Sequence, residues 1–272
     1  MNLRSSHKCF GGNLKFYSHV SEVCKGPMNF AIFLPSKAEK EDCPVLFYLS
    51  GLTCTDENFV MKAGAQRVAE QLGLIVVAPD TSPRDRGIPG EKDGGRPGEG
   101  AGYYVDATQE PWSRAYHMYS YVAEELPALI DAKFPTKKNL RSIMGHSMGG
   151  MGAMVVGLRN PDRFRSISAL APICSPSNSP TAQIAFRALL GDDKSTWADY
   201  DPVEFLKRGA YDREILIDQG TSDDLIDSLR PQDLPIKIRM QQGYDHSYYF
   251  VSTFMEDHVR FHSAHLQGRP LS

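Results

Sequence analysis

A serine hydroxyl attacks a carbonyl at neutral pH only if a base takes its proton and a carboxylate orients that base. Gly145-His146-Ser147-Met148-Gly149 offers such a serine. The apolar run Ser142-Ile143-Met144 leads in, and a small-residue helical pattern from Gly150 to Leu158 leads out, stopping at Asn160-Pro161. A turn joining strand to helix this tightly leaves no room for flanking side chains, so glycines fill those positions. The pattern predicts an exposed Oγ at Ser147. It also predicts first-turn amides, that of Met148 among them, aimed at whatever the serine attacks.

On a scaffold with such an elbow the relay follows the chain order serine, acid, histidine. Beyond Ser147 the candidate bases are His246, His258, His262 and His265. His246 lies in the polar turn Gln242-Gly243-Tyr244-Asp245-His246-Ser247, where a loop can lay an imidazole over the serine. The other three fall on the last helical pattern and read as surface residues near its C-terminus. His258 and His262 stand four apart like metal ligands, but Val259 occupies the place where a zincin carries glutamate, so no metal site is expected. His146 adjoins the nucleophile and leaves the turn in another direction, while His117 precedes the elbow. The acid belongs in the loop after the strand ending at Asp218. Asp223 and Asp224 both qualify, and composition does not separate them, since either could cap the next helix. Asp218 and Asp227 fit less well. An oxyanion needs two N–H donors. Met148 supplies one; Leu52 is the choice for the other, in the loop Ser50-Gly51-Leu52-Thr53, where Gly51 permits close backbone approach. Cys54, Trp112 and Tyr103, with Tyr104, are candidate pocket walls. Buried aromatics, however, are as often core, and a cysteine is often just a small buried residue.

The elements that must position these groups alternate. Strands are expected over 13–20, 29–35, 45–49, 74–78, 167–170, 214–218 and 235–240, and helices over 58–72, 112–132, 182–206 and 247–265. That order gives an α/β-hydrolase fold, a mainly parallel central sheet with helices on both faces, in a single domain over 1–272. A Gly- and Pro-rich loop over 80–102 is expected on the rim of the site. The net charge of −3 on 272 residues recruits neither nucleic acid nor anionic lipid. No apolar signal core or membrane-length run is present, and 268–272 carries no retention or peroxisomal address. Five scattered cysteines without a C-x-x-C pair suit a reducing compartment, so the cytoplasm is expected. No cofactor is called for.

Five stretches together resemble the S-formylglutathione hydrolase (esterase D) family: 48–55, 79–84, 102–112, Gly145 to Gly150, and Gly243 to Phe250. The likeness runs over nearly the whole chain, and the segments 107–112 and 245–250 are far more specific than the elbow. The resemblance implies a cytosolic, usually dimeric serine esterase that hydrolyses S-formylglutathione to formate and glutathione in formaldehyde detoxification. It implies Ser147 as nucleophile, Asp223 rather than Asp224 as acid, His246 as base, and Leu52 and Met148 as oxyanion donors. Two departures bear on it. The connection from Asp223 to His246 is about ten residues shorter than in the family, so the covering helix is expected to shrink to a turn, leaving a hydrophobic flank bare or covered by a partner. The family's Pro-Trp-Gly and Lys-Ala-Phe are replaced by Pro180-Thr181-Ala182-Gln183-Ile184-Ala185-Phe186. Thr181 and Ile184 thus open one alternative, a general short-chain carboxylesterase, and a shortened connection that displaces Asp223 would open another, a non-catalytic relative kept for interaction.

Overall fold

Five consecutive apolar residues, Val45 to Leu49, suit a strand paired on both edges and covered on both faces. In the computed structural model, which describes residues 1–209 and 211–268, every residue of that strand, β4 (Cys43–Leu49), is buried. It lies inside one nine-stranded sheet ordered β1-β2-β3-β5-β4-β6-β7-β8-β9. Strands β1 (Asn2–Cys9), β2 (Gly12–Ser21) and β3 (Gly26–Leu34) form an antiparallel flank, and β3 is antiparallel to β5 (Ile75–Pro79). From β5 onward the sheet is parallel, through β4, β6 (Thr136–His146), β7 (Ile167–Leu170), β8 (Ile215–Gly220) and β9 (Arg239–Gln241). This is the mainly parallel sheet of the α/β-hydrolase fold. The four C-terminal residues read above for an address signal, 269–272, lie outside the described residues.

The connecting helices are α1 (Asp56–Lys62), α2 (Ala65–Leu72), α3 (Leu126–Lys133), α4 (Met148–Arg159), α5 (Pro180–Leu190), α6 (Pro202–Lys207), α7 (Ile226–Leu229) and α8 (Tyr248–Gln267). Because strand residues alternate faces, neighbours on one strand report both layers. Ile143 and Ile167 pack at Gly157 of α4, where a Cβ would fall 2.5 Å from Ile167. Ser142 and Ser168, their chain neighbours, turn instead toward the histidines of α8. The sheet is therefore covered on both faces. No helix among the described residues is long and apolar enough to cross a membrane.

Several boundaries differ from the sequence reading. The helix expected over 58–72 is two, broken at Gly64, whose φ of 73° ends α1. The expected strand over 235–240 pairs only from Arg239 to Gln241. β1 was not expected at all: it is mostly exposed, has no alternating apolar pattern, and is held by its backbone ladder to β2. The connection after Asp223 holds only the single turn α7 and a 3-10 turn at Pro231–Asp233. Thr181 ties into it, its hydroxyl 2.6 Å from that of Ser228. Beside this edge an open cavity of about 290 Å³ is lined by Leu206, Tyr211, Ile215, Ile217 and Ile236.

The reading of His258 and His262 as surface residues is wrong: both are fully buried. They share the inward face of α8 with Val251, Met255 and Val259, spaced three and four apart, so the helix period overrides their polarity. Their polar atoms are satisfied in a line. Ser142 Oγ lies 2.7 Å from Ser166 Oγ, which lies 2.8 Å from His262 Nδ1. His262 Nε2 is 2.7 Å from Ser168 Oγ, which is 2.8 Å from His258 Nδ1. His258 Nε2 then reaches Asp218 Oδ2 at 2.9 Å. With Asp218 ionised at the end, every proton is assigned in one direction: Ser142 donates to Ser166, Ser166 to His262, His262 to Ser168, Ser168 to His258, and His258 to Asp218.

Burial lowers the pKa of both imidazoles, the Asp218 carboxylate opposing it for His258. Burial would raise Asp218, but hydrogen bonds from His258 and Arg239 outweigh it and hold that carboxyl at about 2. The buried histidines take up protons more readily in the unfolded chain, so stability is fully present above their ordinary pKa of 6.5 and is lost as pH falls below it. The expected result is a melting temperature that drops by about 5 °C between pH 7 and pH 5 in thermal denaturation. A melting temperature that stays flat over that interval contradicts it.

Candidate active site

The elbow forms because β6 must turn directly into α4. Ser147 sits at φ 57°, ψ −123°, a strained conformation held by the packing around it. A Cβ on Gly145 would fall 2.1 Å from Gly149 O, and one on Gly149 would fall 2.0 Å from Leu49 O, so neither position admits a side chain. The serine's backbone is fully engaged: its N–H donates to Leu170 O at 3.0 Å, and its carbonyl accepts from Met151 and Ile173. Only Oγ is left to do chemistry.

Two loops at the ends of neighbouring strands meet over that hydroxyl. A Cβ on Gly220, at the end of β8, would fall 2.2 Å from Tyr244 O, so the bare glycine lets the loop after β9 come down against it. Ser222 N–H donates to the same carbonyl at 2.9 Å, tying the loop after β8 to the loop after β9. His246 Nε2 then lies 2.9 Å from Ser147 Oγ, and its Nδ1 lies 2.7 Å from Asp223 Oδ2. Asp223 is buried and accepts from Leu225 N–H and Gln219 Nε2, each at 2.8 Å. Burial raises its pKa, but the imidazole of His246 and those two donors win, and the carboxyl is held below the usual range. Asp224 is exposed beside it. Asp218 is spent on His258 and Arg239, on the α8 side of the sheet.

The Ser50–Thr53 loop lies against the elbow, with a Cβ on Gly51 only 3.1 Å from Ser147 Cβ. Its carbonyls are held from behind. Tyr104 Oη donates to Ser50 O at 2.8 Å, Cys54 N–H to Gly51 O at 3.3 Å, and Thr81 Oγ1 to Cys54 O at 2.5 Å. Thr53 N–H donates to Gly100 O at 2.8 Å, so the 80–102 segment braces this loop. Among the described residues neither the Leu52 nor the Met148 amide donates to a protein acceptor. Two unengaged N–H groups are what an oxyanion requires.

Of the expected pocket residues, Cys54 is half-buried and burial pushes its thiol pKa up, which leaves little thiolate at neutral pH. Trp112 packs edge-on to Tyr116, and Tyr103 edge-on to Phe186, both as core. Tyr104 is the aromatic that touches the site. The sequence reading missed Gln219 and Thr81, whose partners are distant in the chain. It also set His146 aside as leaving the turn in another direction. The His146 ring in fact packs 4.6 Å from that of His246, and burial, reinforced by His246, drives its pKa down to about 3, so it stays neutral beside that imidazole.

Residues 21–261 match the family described as "Putative esterase". The chain is 48% identical to S-formylglutathione hydrolase of Rattus norvegicus and 46% identical to that of Bos taurus, in each case across 97% of this chain and 98% of the relative. It superposes on an S-formylglutathione hydrolase from Agrobacterium tumefaciens with a TM-score of 0.93 and 47% identity, covering 98% of this chain and all of that one. The chain belongs to the S-formylglutathione hydrolase family. As a member of this family it is a serine hydrolase.

Proposed function

We propose that the protein is a thioesterase that hydrolyses S-formylglutathione to formate and glutathione through a formyl-enzyme. Ser147 Oγ attacks the thioester carbonyl while His246 Nε2 takes its proton, and Asp223 steadies the imidazolium so formed. The amides of Leu52 and Met148 hold the negative oxygen of the tetrahedral intermediate, each contributing about 3 kcal/mol. Collapse breaks the C–S bond, and the departing sulfur, a good leaving group because thiols are moderately acidic, takes the proton from His246 and leaves as the thiol, so the imidazole is neutral again. Water then gives a proton to the same histidine and attacks the formyl carbon; collapse breaks the bond from that carbon to Oγ, His246 returns the proton to Ser147, and formic acid leaves and ionises to formate. The carrying observation is the contact of Ser147 with His246 and of His246 with Asp223, in a chain 48% identical to a named S-formylglutathione hydrolase. The same reading makes the protein a single catalytic domain that works as a cytoplasmic homodimer in formaldehyde detoxification.

Steady-state kinetics test the substrate. The expected kcat/KM for S-formylglutathione exceeds that for p-nitrophenyl acetate by about a hundredfold, since only the former can use contacts beyond the acyl group. Equal values would favour a general short-chain carboxylesterase.

A further inference from the structure

Two segments leave the reacting centre and meet again at a distance from it. After the oxyanion loop, α1 carries the chain seven residues, about 10 Å, to Lys62. After His246, α8 opens with Tyr248 and Tyr249. Where the two converge there is an open cavity of about 460 Å³ lined by Lys62, Ser247, Tyr248, Tyr249 and Ser252. Its single charged group is Lys62, whose ammonium stands 5.5 Å above the Tyr248 ring. No carboxylate forms an ion pair with Lys62 among the described residues, whereas Arg4 takes up both acids at the other end of α1. Tyr249 is 82% exposed, leaving an aromatic side chain open to a ligand. The Tyr248 ring also lies 6.0 Å from that of His146, which packs against His246, so one side chain links the cavity to the triad.

A cation above an aromatic floor, with hydroxyls and no acid, suits an extended anionic peptide. From the cysteinyl to the glycyl end, such a peptide spans about 7 Å, the same order as the reach from the oxyanion loop to Lys62. We infer that this cavity receives a carboxylate of the leaving tripeptide thiol, and that Lys62 is the residue that selects it. The inference rests on the thioesterase reading and names the contact that gives it specificity.

Kinetics on Lys62→Ala, Lys62→Glu and Lys62→Arg test it, with S-formylglutathione and with its glycyl and γ-glutamyl monoethyl esters as substrates. The loss expected of Lys62→Ala on S-formylglutathione is about fivefold in kcat/KM, carried by KM, the scale of one partly screened charge pair. Lys62→Glu loses more than tenfold, and Lys62→Arg restores most of the wild-type value. Esterifying the carboxylate that Lys62 holds removes the difference between wild type and Lys62→Ala, and which ester does so identifies the carboxylate. The inference alone fails if the wild type hydrolyses S-formylglutathione and Lys62→Glu loses no more on it than on both esters. If the wild type turns over p-nitrophenyl acetate but not S-formylglutathione, the substrate reading fails and the inference falls with it.

Discussion

Ser147→Ala is expected to reduce kcat on S-formylglutathione by about 10⁶-fold, the scale on which a triad loses function without its nucleophile. The fold survives this change. The serine's backbone bonds to Leu170, Met151 and Ile173 do not involve the side chain, and the hydrogen bond of Oγ among the described residues is to His246. The variant should therefore melt within a few degrees of the wild type, and a fluorophosphonate probe should label the wild type and leave the variant unlabelled. Turnover that persists near the wild-type level in a folded, unlabelled variant would overturn the covalent mechanism. Failure of the wild type to label would favour a non-catalytic relative.

Asp223→Asn carries the second large effect, a fall of about 10⁴-fold in kcat. Asp223 now accepts the Nδ1 proton of His246, which leaves Nε2 free to receive the proton of Ser147. An asparagine whose Oδ1 still accepts from Leu225 N–H presents its NH₂ to Nδ1, which then stabilises the tautomer with its proton on Nε2 and takes away the base. Asp224→Asn, one residue on and exposed, should stay within about twofold of the wild type, as surface substitutions do. If the two variants lose activity equally, or if Asp224→Asn loses more, Asp223 is not the acid.

The contrast between these neighbours shows where sequence reading stops. Chain order and loop type narrow the acid to Asp223 or Asp224, because both follow the same strand and both could cap a turn. What separates them is the direction of one side chain, which depends on Gln219, on Leu225 and on a histidine 23 residues away. The elbow, by contrast, is written locally: two glycines whose missing Cβ atoms make room for Gly149 O and Leu49 O. The strand at 45–49 was legible for a similar reason, since continuous burial leaves a continuous apolar run. β1 left no such trace, because its neighbour supplies hydrogen bonds and little burial. His258 and His262 misled because their chemistry argues for solvent while their position along the helix argues for the interior.

Those two histidines have a mechanical consequence. Sliding α8 by one residue would rotate its inner face by about 100° and strand at least four hydroxyl and imidazole partners in the dry interior, at about 1–3 kcal/mol apiece. That sum rivals the stability margin of a whole domain, so the helix is keyed to the sheet like a shaft on a spline. His246 hangs one residue ahead of the Ser247 cap on that shaft. The bearing of the His246 imidazole over the Ser147 hydroxyl is thus set by hydroxyls on the opposite side of the strands from the elbow helix.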